Sequence, residues 1–279
     1  MRKYTTLDDP LATFETLAAG INDSGQIVGF YEDGGGTSYN DHGFLYSNGT
    51  YTTLDDPLAT FGTSATGIND SGQIVGNYRD GPDIVQADGH VARDHEHGFL
   101  YSNGTYTTLD DPLGAHGTAA FGINDKGQIV GEYWDSANKS HGFLYSNGQY
   151  TTIDDPRATY GTEAYGINDK GQIVGSYSDS KGMHGFLYSN GHYTTLNDPF
   201  GKSWSGTTTA ATGINDKGQI VGNYTNSKGI EHSFLYSNGT YTTLNHPLGT
   251  HGTTVEGIND HAQIVGIYLG DSGGHAFHT

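Results

Sequence analysis

Apolar and polar positions alternate along this chain in short bursts, and the bursts return in one order six times. One burst ends in Gly-Ile-Asn-Asp, starting at Gly20, Gly67, Gly122, Gly166, Gly213 and Gly257, with spacings of 47, 55, 44, 47 and 44 residues. A second, Gly-Gln-Ile-Val-Gly-x-Tyr, follows at once, as at residues 171–177. A third, His-Gly-Phe-Leu-Tyr-Ser-Asn-Gly, starts at His42, His97, His141 and His184 and returns altered at His232 and His275. The fourth, Tyr-Thr-Thr-Leu-Asp-Asp-Pro, starts at Tyr4, Tyr51 and Tyr106 and drifts at Tyr150, Tyr193 and Tyr241.

Each burst is short and rich in β-branched and aromatic residues, so each predicts a strand. Asn-Asp-Lys/Ser-Gly between the first two suits a type I turn with a left-handed glycine, and Ser-Asn-Gly between the last two is a strong hairpin signal. No segment repeats at helical spacing. The chain therefore reads as all-β.

Four-stranded units of this length point to a β-propeller, in which neighbouring blades bury faces that one blade cannot bury alone. The chain opens on a lone fourth-type strand at residues 4–7 and closes on a third-type strand at residues 275–279 that has no successor. These ends predict a six-bladed propeller of four-stranded blades, its ring closed by the N-terminal strand completing the last blade. Residues 1–279 then form one domain, with repeats beginning near residues 14, 61, 116, 160, 207 and 251, and residues 1–9 completing blade six.

These three motifs in fixed order resemble the bacterial HAF-repeat family of probable extracellular repeat proteins, and the resemblance covers essentially the whole chain. It implies export. It brings no substrate and no catalytic residue.

Composition narrows the partners. Twelve Lys and Arg against 31 Asp and Glu leave a formal charge of −19, the wrong sign for nucleic acid or an anionic membrane surface. Apolar runs are too short to cross a bilayer. The opening residues, MRKYTTLDDP, contain no apolar leader segment, so no signal peptide is read there. With no Cys there is neither a disulfide framework nor a thiolate centre. The 20 Tyr and 11 Phe argue against disorder. A monomer is expected.

Chemistry is sought where the copies differ. In a propeller the two copied turns share one face, and the connections between second and third strands and between units share the other, here the upper face. The residue six before each Gly-Ile-Asn-Asp glycine is Phe14, Phe61, His116, Tyr160, Thr207 or His251, and Trp204 stands close by. Aromatic rings beside carboxylates and amides suit a carbohydrate, whose apolar faces stack while its hydroxyls are fixed. The expectation is that these side chains ring the mouth of the central channel; the bland alternative is packing against the neighbouring blade.

The longest upper loop, residues 79–96, holds Asp88, His90, Asp94 and His95, which predict a divalent-cation site, for example Ca²⁺. The alternative there is a solvated polar insertion. The six copied histidines stand roughly 10 Å or more from the axis at about 4.8 Å per strand, too far apart to share an ion. They are assigned to hydrogen bonds with the Asp-Asp stretches. Glu15, Glu163 and Glu256, each on one inner strand only, are candidate channel carboxylates. No nucleophile–base pair, GxSxG motif or phosphate-cradling loop is present, so no catalytic residue is assigned.

Near-identical blades favour repeated weak sites over one active site. The leading reading is a non-catalytic, lectin-like propeller binding carbohydrate or another small ligand outside the cell. Two alternatives stay open, a metal-assisted hydrolase or lyase at the channel mouth and a protein-interaction scaffold.

Overall fold

A computed structural model describes residues 3–34, 41–82, 84–85, 91–203, 206–271 and 273–279. Among these residues the chain is β-strand, turn and loop, with no helix. In the fourth copy, Gly161–Ile167, Ile173–Asp179, Gly182–Ser189 and His192–Leu196 pair in succession as an antiparallel meander. The first copy does the same with Thr16–Ile21, Ile27–Glu32, Asp41–Ser47 and Thr50–Leu54. Asn48 and Gly49 take φ of 50° and 83°, both left-handed, as the Asn-Gly hairpin requires.

The last copy shows how the ends meet. Gly252–Ile258, Ile264–Gly270 and Gly273–His278 pair in order, and the place of a fourth strand is taken by Thr5–Thr6. Thr5 lies opposite His278 and Thr6 opposite Phe277, while the Leu7 amide donates to the Ala276 carbonyl at 2.8 Å.

Among the described residues the buried apolar side chains form six clusters, each drawn from neighbouring copies. Val28 and Leu54 of the first copy meet Ile68, Ile74 and Phe99 of the second; Val265 and Ala276 of the last meet Leu7, Ile21, Ile27 and Phe44. Phe44, Phe99, Phe143, Phe186, Phe234 and Phe277 are wholly buried, at about 1.5–3 kcal/mol of transfer free energy each. The core is therefore distributed over the seams between sheets.

The inner strands meet at the axis. A Cβ on Gly20 would lie 3.1 Å from the Cα of Gly67, and one on Gly257 would lie 3.4 Å from the Cα of Gly20. Only glycine permits that approach. Every inner strand slips register one residue earlier, between Ala18 and Gly20 in the first copy and between Val255 and Gly257 in the last. A β-bulge re-aims the unpaired side chain. Here it turns Ala19, Thr66, Phe121, Tyr165, Thr212 and Glu256 onto one axial cavity.

Candidate functional site

On the upper face, the junctions between copies carry a recurring polar device. His42 pairs through Nδ1 with Asp55 at 3.0 Å and through Nε2 with Asp33 at 3.5 Å. His141 does so with Asp154 and Asp135 at 2.7 and 3.2 Å, and His184 with Asn197 and Asp179 at 3.2 and 3.1 Å. Across the end-to-start seam, His275 pairs with Asp8 at 2.9 Å. A tyrosine of the second strand backs each ring, as Tyr31 backs His42 with centroids 5.2 Å apart. The copied histidines thus bond the first carboxylate or amide after the fourth strand, as the sequence assigns them. At His97 the bond to Asp110 raises the pKa against the opposing effect of burial.

The second acid does different work. Asp56 Oδ1 accepts the Leu58 amide at 2.9 Å, and the Asp56 amide donates to Thr63 Oγ1 at 3.0 Å. This turn holds the next residue outward. Leu11, Leu58, Leu113, Phe200 and Leu248 are 58–66% exposed. Their signal in the sequence is an apolar residue recurring just after the proline that ends the fourth motif, where turns are usually polar. Leu113 edges a groove of about 390 Å³ with Tyr150, Thr152 and Gln149. At the end of the third copy Arg157 takes this position, bonding Asp155 at 2.6 Å and Thr195, with its guanidinium 5.1 Å from the Tyr177 ring. Beside the first junction, Asp41, His42, Asp55, Thr60 and Thr63 line a pocket of about 240 Å³.

The aromatic and histidine positions expected at the channel mouth lie at these junctions instead. The Phe14 amide donates to Glu32, that of Phe61 to Arg79, that of His116 to Trp134, that of Tyr160 to Ser178 and that of His251 to Leu269. These bonds fasten each residue over the end of its own second strand, one per junction, and none of the five lines the axial cavity. Phe14 and Tyr160 are 59% and 65% exposed, and Phe61 is half-buried between two pocket residues. His116 pairs with Asp94 at 2.5 Å, and His251 with Asp271 at 3.3 Å. Trp204 lies outside the described residues.

Of the residues expected to hold a divalent cation, Asp88 and His90 lie outside the described residues. Asp94 and His95 take separate partners, His116 and, at 2.8 Å, Asp80. Among the described residues no group of three or more acidic, histidine or cysteine side chains is disposed to hold a metal ion.

The axial cavity has a volume of about 390 Å³, and its wall includes Leu17, Phe30, Phe121, Tyr165, Met183 and Glu256. Of the three inner-strand carboxylates, only Glu256 reaches it. Glu163 accepts from the Tyr165 hydroxyl and, at 3.3 Å, from Ser176. Glu15 stands by Glu32, and burial, then that neighbour, raises its pKa. The three do not converge with His116, Tyr160 or His251. Burial, followed by the Glu231 charge, pushes Glu256 up to about 7. Glu132 is driven well up by burial and by Glu163. Asp41 rises to about 6 through burial, then Glu32.

At the lower end two belts of hydrogen bonds run around the axis. Each Asn of the copied turn donates its amide to the next copy's Asn carbonyl, from Asn22 to Asn69 at 3.1 Å and onward to Asn259, which returns to Asn22 at 3.0 Å. Each following Asp amide donates to the next Asp side chain at 2.8 or 2.9 Å, and Asp260 returns to Asp23. Lys170 and Lys217 reach carbonyls of the next turn at 2.5 Å. This face is occupied with tying each copied turn to the next.

Comparison with known proteins agrees with this geometry at the level of fold. A family described as "Protein of unknown function (DUF3466)" matches residues 146–275. No curated protein sequence matches the chain. Trypanosoma rangeli sialidase superposes with a TM-score of 0.59 at 9% identity over 99% of this chain, which spans 57% of the sialidase's length. A variant of Aleuria aurantia lectin in complex with Fucα1-6GlcNAc gives 0.54 at 10% identity, covering 98% of this chain and 93% of the lectin. AofleA from Arthrobotrys oligospora gives 0.58 at 12% identity, covering 97% and 84%. Likeness at such identity concerns fold alone: the chain is all-β and β-propeller-like.

Proposed function

We propose that this chain is a six-bladed β-propeller, closed by its N-terminal strand, that binds carbohydrate without catalysis through the junctions of its upper rim. The carrying observation is the repeated pairing of an exposed apolar residue, placed just after the proline that ends the fourth motif, with a histidine–carboxylate or histidine–amide pair at the same junction. Leu58 with His42 and Asp55 is one such set. Polar groups that fix hydroxyls beside apolar surface that covers a sugar face are what such a ligand needs. The fucoside-binding Aleuria lectin among the structural neighbours supports the reading. Near-equivalent sites around one rim give avidity for a multivalent glycan even when each is weak.

The chain acts outside the cell, as a member of the HAF-repeat proteins, in keeping with its motifs. A glycan array followed by titration with monovalent sugar tests the binding. Expected are retention on multivalent glycan and a monovalent affinity weaker by about 100-fold or more. Tyr160→Ala combined with Leu58→Ala and Leu113→Ala should weaken retention without lowering the melting temperature. Failure to bind any glycan ends the proposal.

A further inference from the structure

The axial cavity differs chemically from the rim. Its hydroxyl groups are already used: Thr66 donates to the Ala120 carbonyl at 2.8 Å and Thr212 to the Val255 carbonyl at 2.7 Å, and Tyr165 donates to Glu163. Five of the six bulge positions carry neutral residues, and the sixth carries Glu256. One Glu256 oxygen meets the Asn223 amide at 3.5 Å. Among the described residues no Lys, Arg or His pairs with it, and the nearby charge is that of Glu231. An enclosed carboxylate without a positive partner is costly to ionise. Phe121 and Tyr165 lie 5.4 Å apart on the same wall, with Phe30 and Met183 also lining the space. A polyol would find little to bond there.

We propose that this cavity binds a small organic cation, an amine with an apolar or aromatic body, its ammonium against Glu256 and its body among Phe30, Phe121, Tyr165 and Met183. The ammonium supplies the charge that Glu256 lacks, and the aromatic faces attract a cation further. At about 390 Å³ the space falls within the range of small-molecule sites. The formal charge of −19 draws cations toward the molecule. This site is separate from the rim and stands whether or not the rim binds sugar.

Isothermal titration at pH 8 with benzylamine, and with benzyl alcohol as its neutral counterpart of similar size, tests the proposal. Benzylamine should bind once per chain and at least about tenfold more tightly than benzyl alcohol. Glu256→Gln should lose at least about tenfold of the benzylamine affinity, while Tyr160→Ala on the rim leaves it unchanged. Circular dichroism and melting establish that the variants are folded, and the comparison of the two probes on the unaltered protein decides the matter without any variant. Equal affinity for both probes, undiminished binding by Glu256→Gln, or no benzylamine binding up to about 10 mM overturns it.

Discussion

The backbone amide of Asp260 donates to Asp23 Oδ1 at 2.8 Å, across a separation of 237 residues. It is the same bond that joins Asp23 to Asp70, so the lower belt passes the chain ends without a change of chemistry. The seam farther out behaves likewise, with Leu7 buried among Ile21, Ile27 and Val265.

Removing residues 1–9 should therefore open this seam. It exposes Leu7, strips a strand from Gly273–His278 and unpairs Asp8 from His275. The expected loss is on the order of 5 kcal/mol, read by urea denaturation. An unaltered midpoint would show that the N-terminal strand does not stabilise this seam.

Asn124 tests the belt itself. Its amide donates to the Asn168 carbonyl at 3.0 Å and to Gln128, and its Oδ1 accepts from the Gln128 and Lys126 amides. Asn124→Ala orphans several buried groups at once and should cost about 2–4 kcal/mol, whereas Lys126→Ala, at an exposed side chain, should cost under about 1 kcal/mol.

Ala262 holds φ of 58° in the turn where the other five copies place glycine, for example Gly218 at 72°. Ala262→Gly relieves that left-handed strain and should stabilise the protein by up to about 1 kcal/mol. A marked loss of stability would mean that the turn needs the alanine methyl.

Stability should fall as the solution is made alkaline through neutrality. Glu256 at about 7 and Asp41 at about 6 sit above their ordinary values. The folded state thus holds protons that the unfolded chain has released, and this contribution is full below about pH 4 and lost as pH rises through 6 and 7. Asp41 faces Glu32, Glu15, Arg79 and His42, and Glu256 faces Glu231, Asn223 and Thr254. The raised His97 acts with the same sign, its contribution being lost above its folded pKa. His246 and His278, lowered by burial, act oppositely as pH falls. Glu256→Gln isolates one group: it should stabilise the protein at pH 8 by up to about 3 kcal/mol and do little at pH 4, as thermal melts at the two pH values will read.

Strands and turns were legible because their causes are local. Alternation, Asn-Gly and the Asn-Asp-x-Gly turn act within a few residues. The pairing of Thr5–Thr6 with Gly273–His278 was legible too, since the chain's first and last bursts are complementary fragments of one unit. The bonds from His42 to Asp55 and from His97 to Asp110 followed from putting both groups at the same end of adjacent strands. The direction of the inner-strand side chains was not legible. A one-residue register slip leaves no trace in an apolar–polar pattern, yet it sends Tyr165 and Glu256 into the cavity and leaves Tyr160 and His251 on the rim. Position alone, counted back from the glycine, could not reveal the slip. Similarly, the outward turn at Leu58 depends on Asp56 being held by Thr63, seven residues along.

The bulge has a consequence for how such a set of copied sheets can diversify. It sets six side chains around a common space, clear of the turns and the axial belts, and three of them, Thr66, Thr212 and Glu256, also bond a neighbouring copy. Lineages built by copying one unit could therefore trade chemical preference most freely at the other three positions, Ala19, Phe121 and Tyr165, with the inherited turns left untouched.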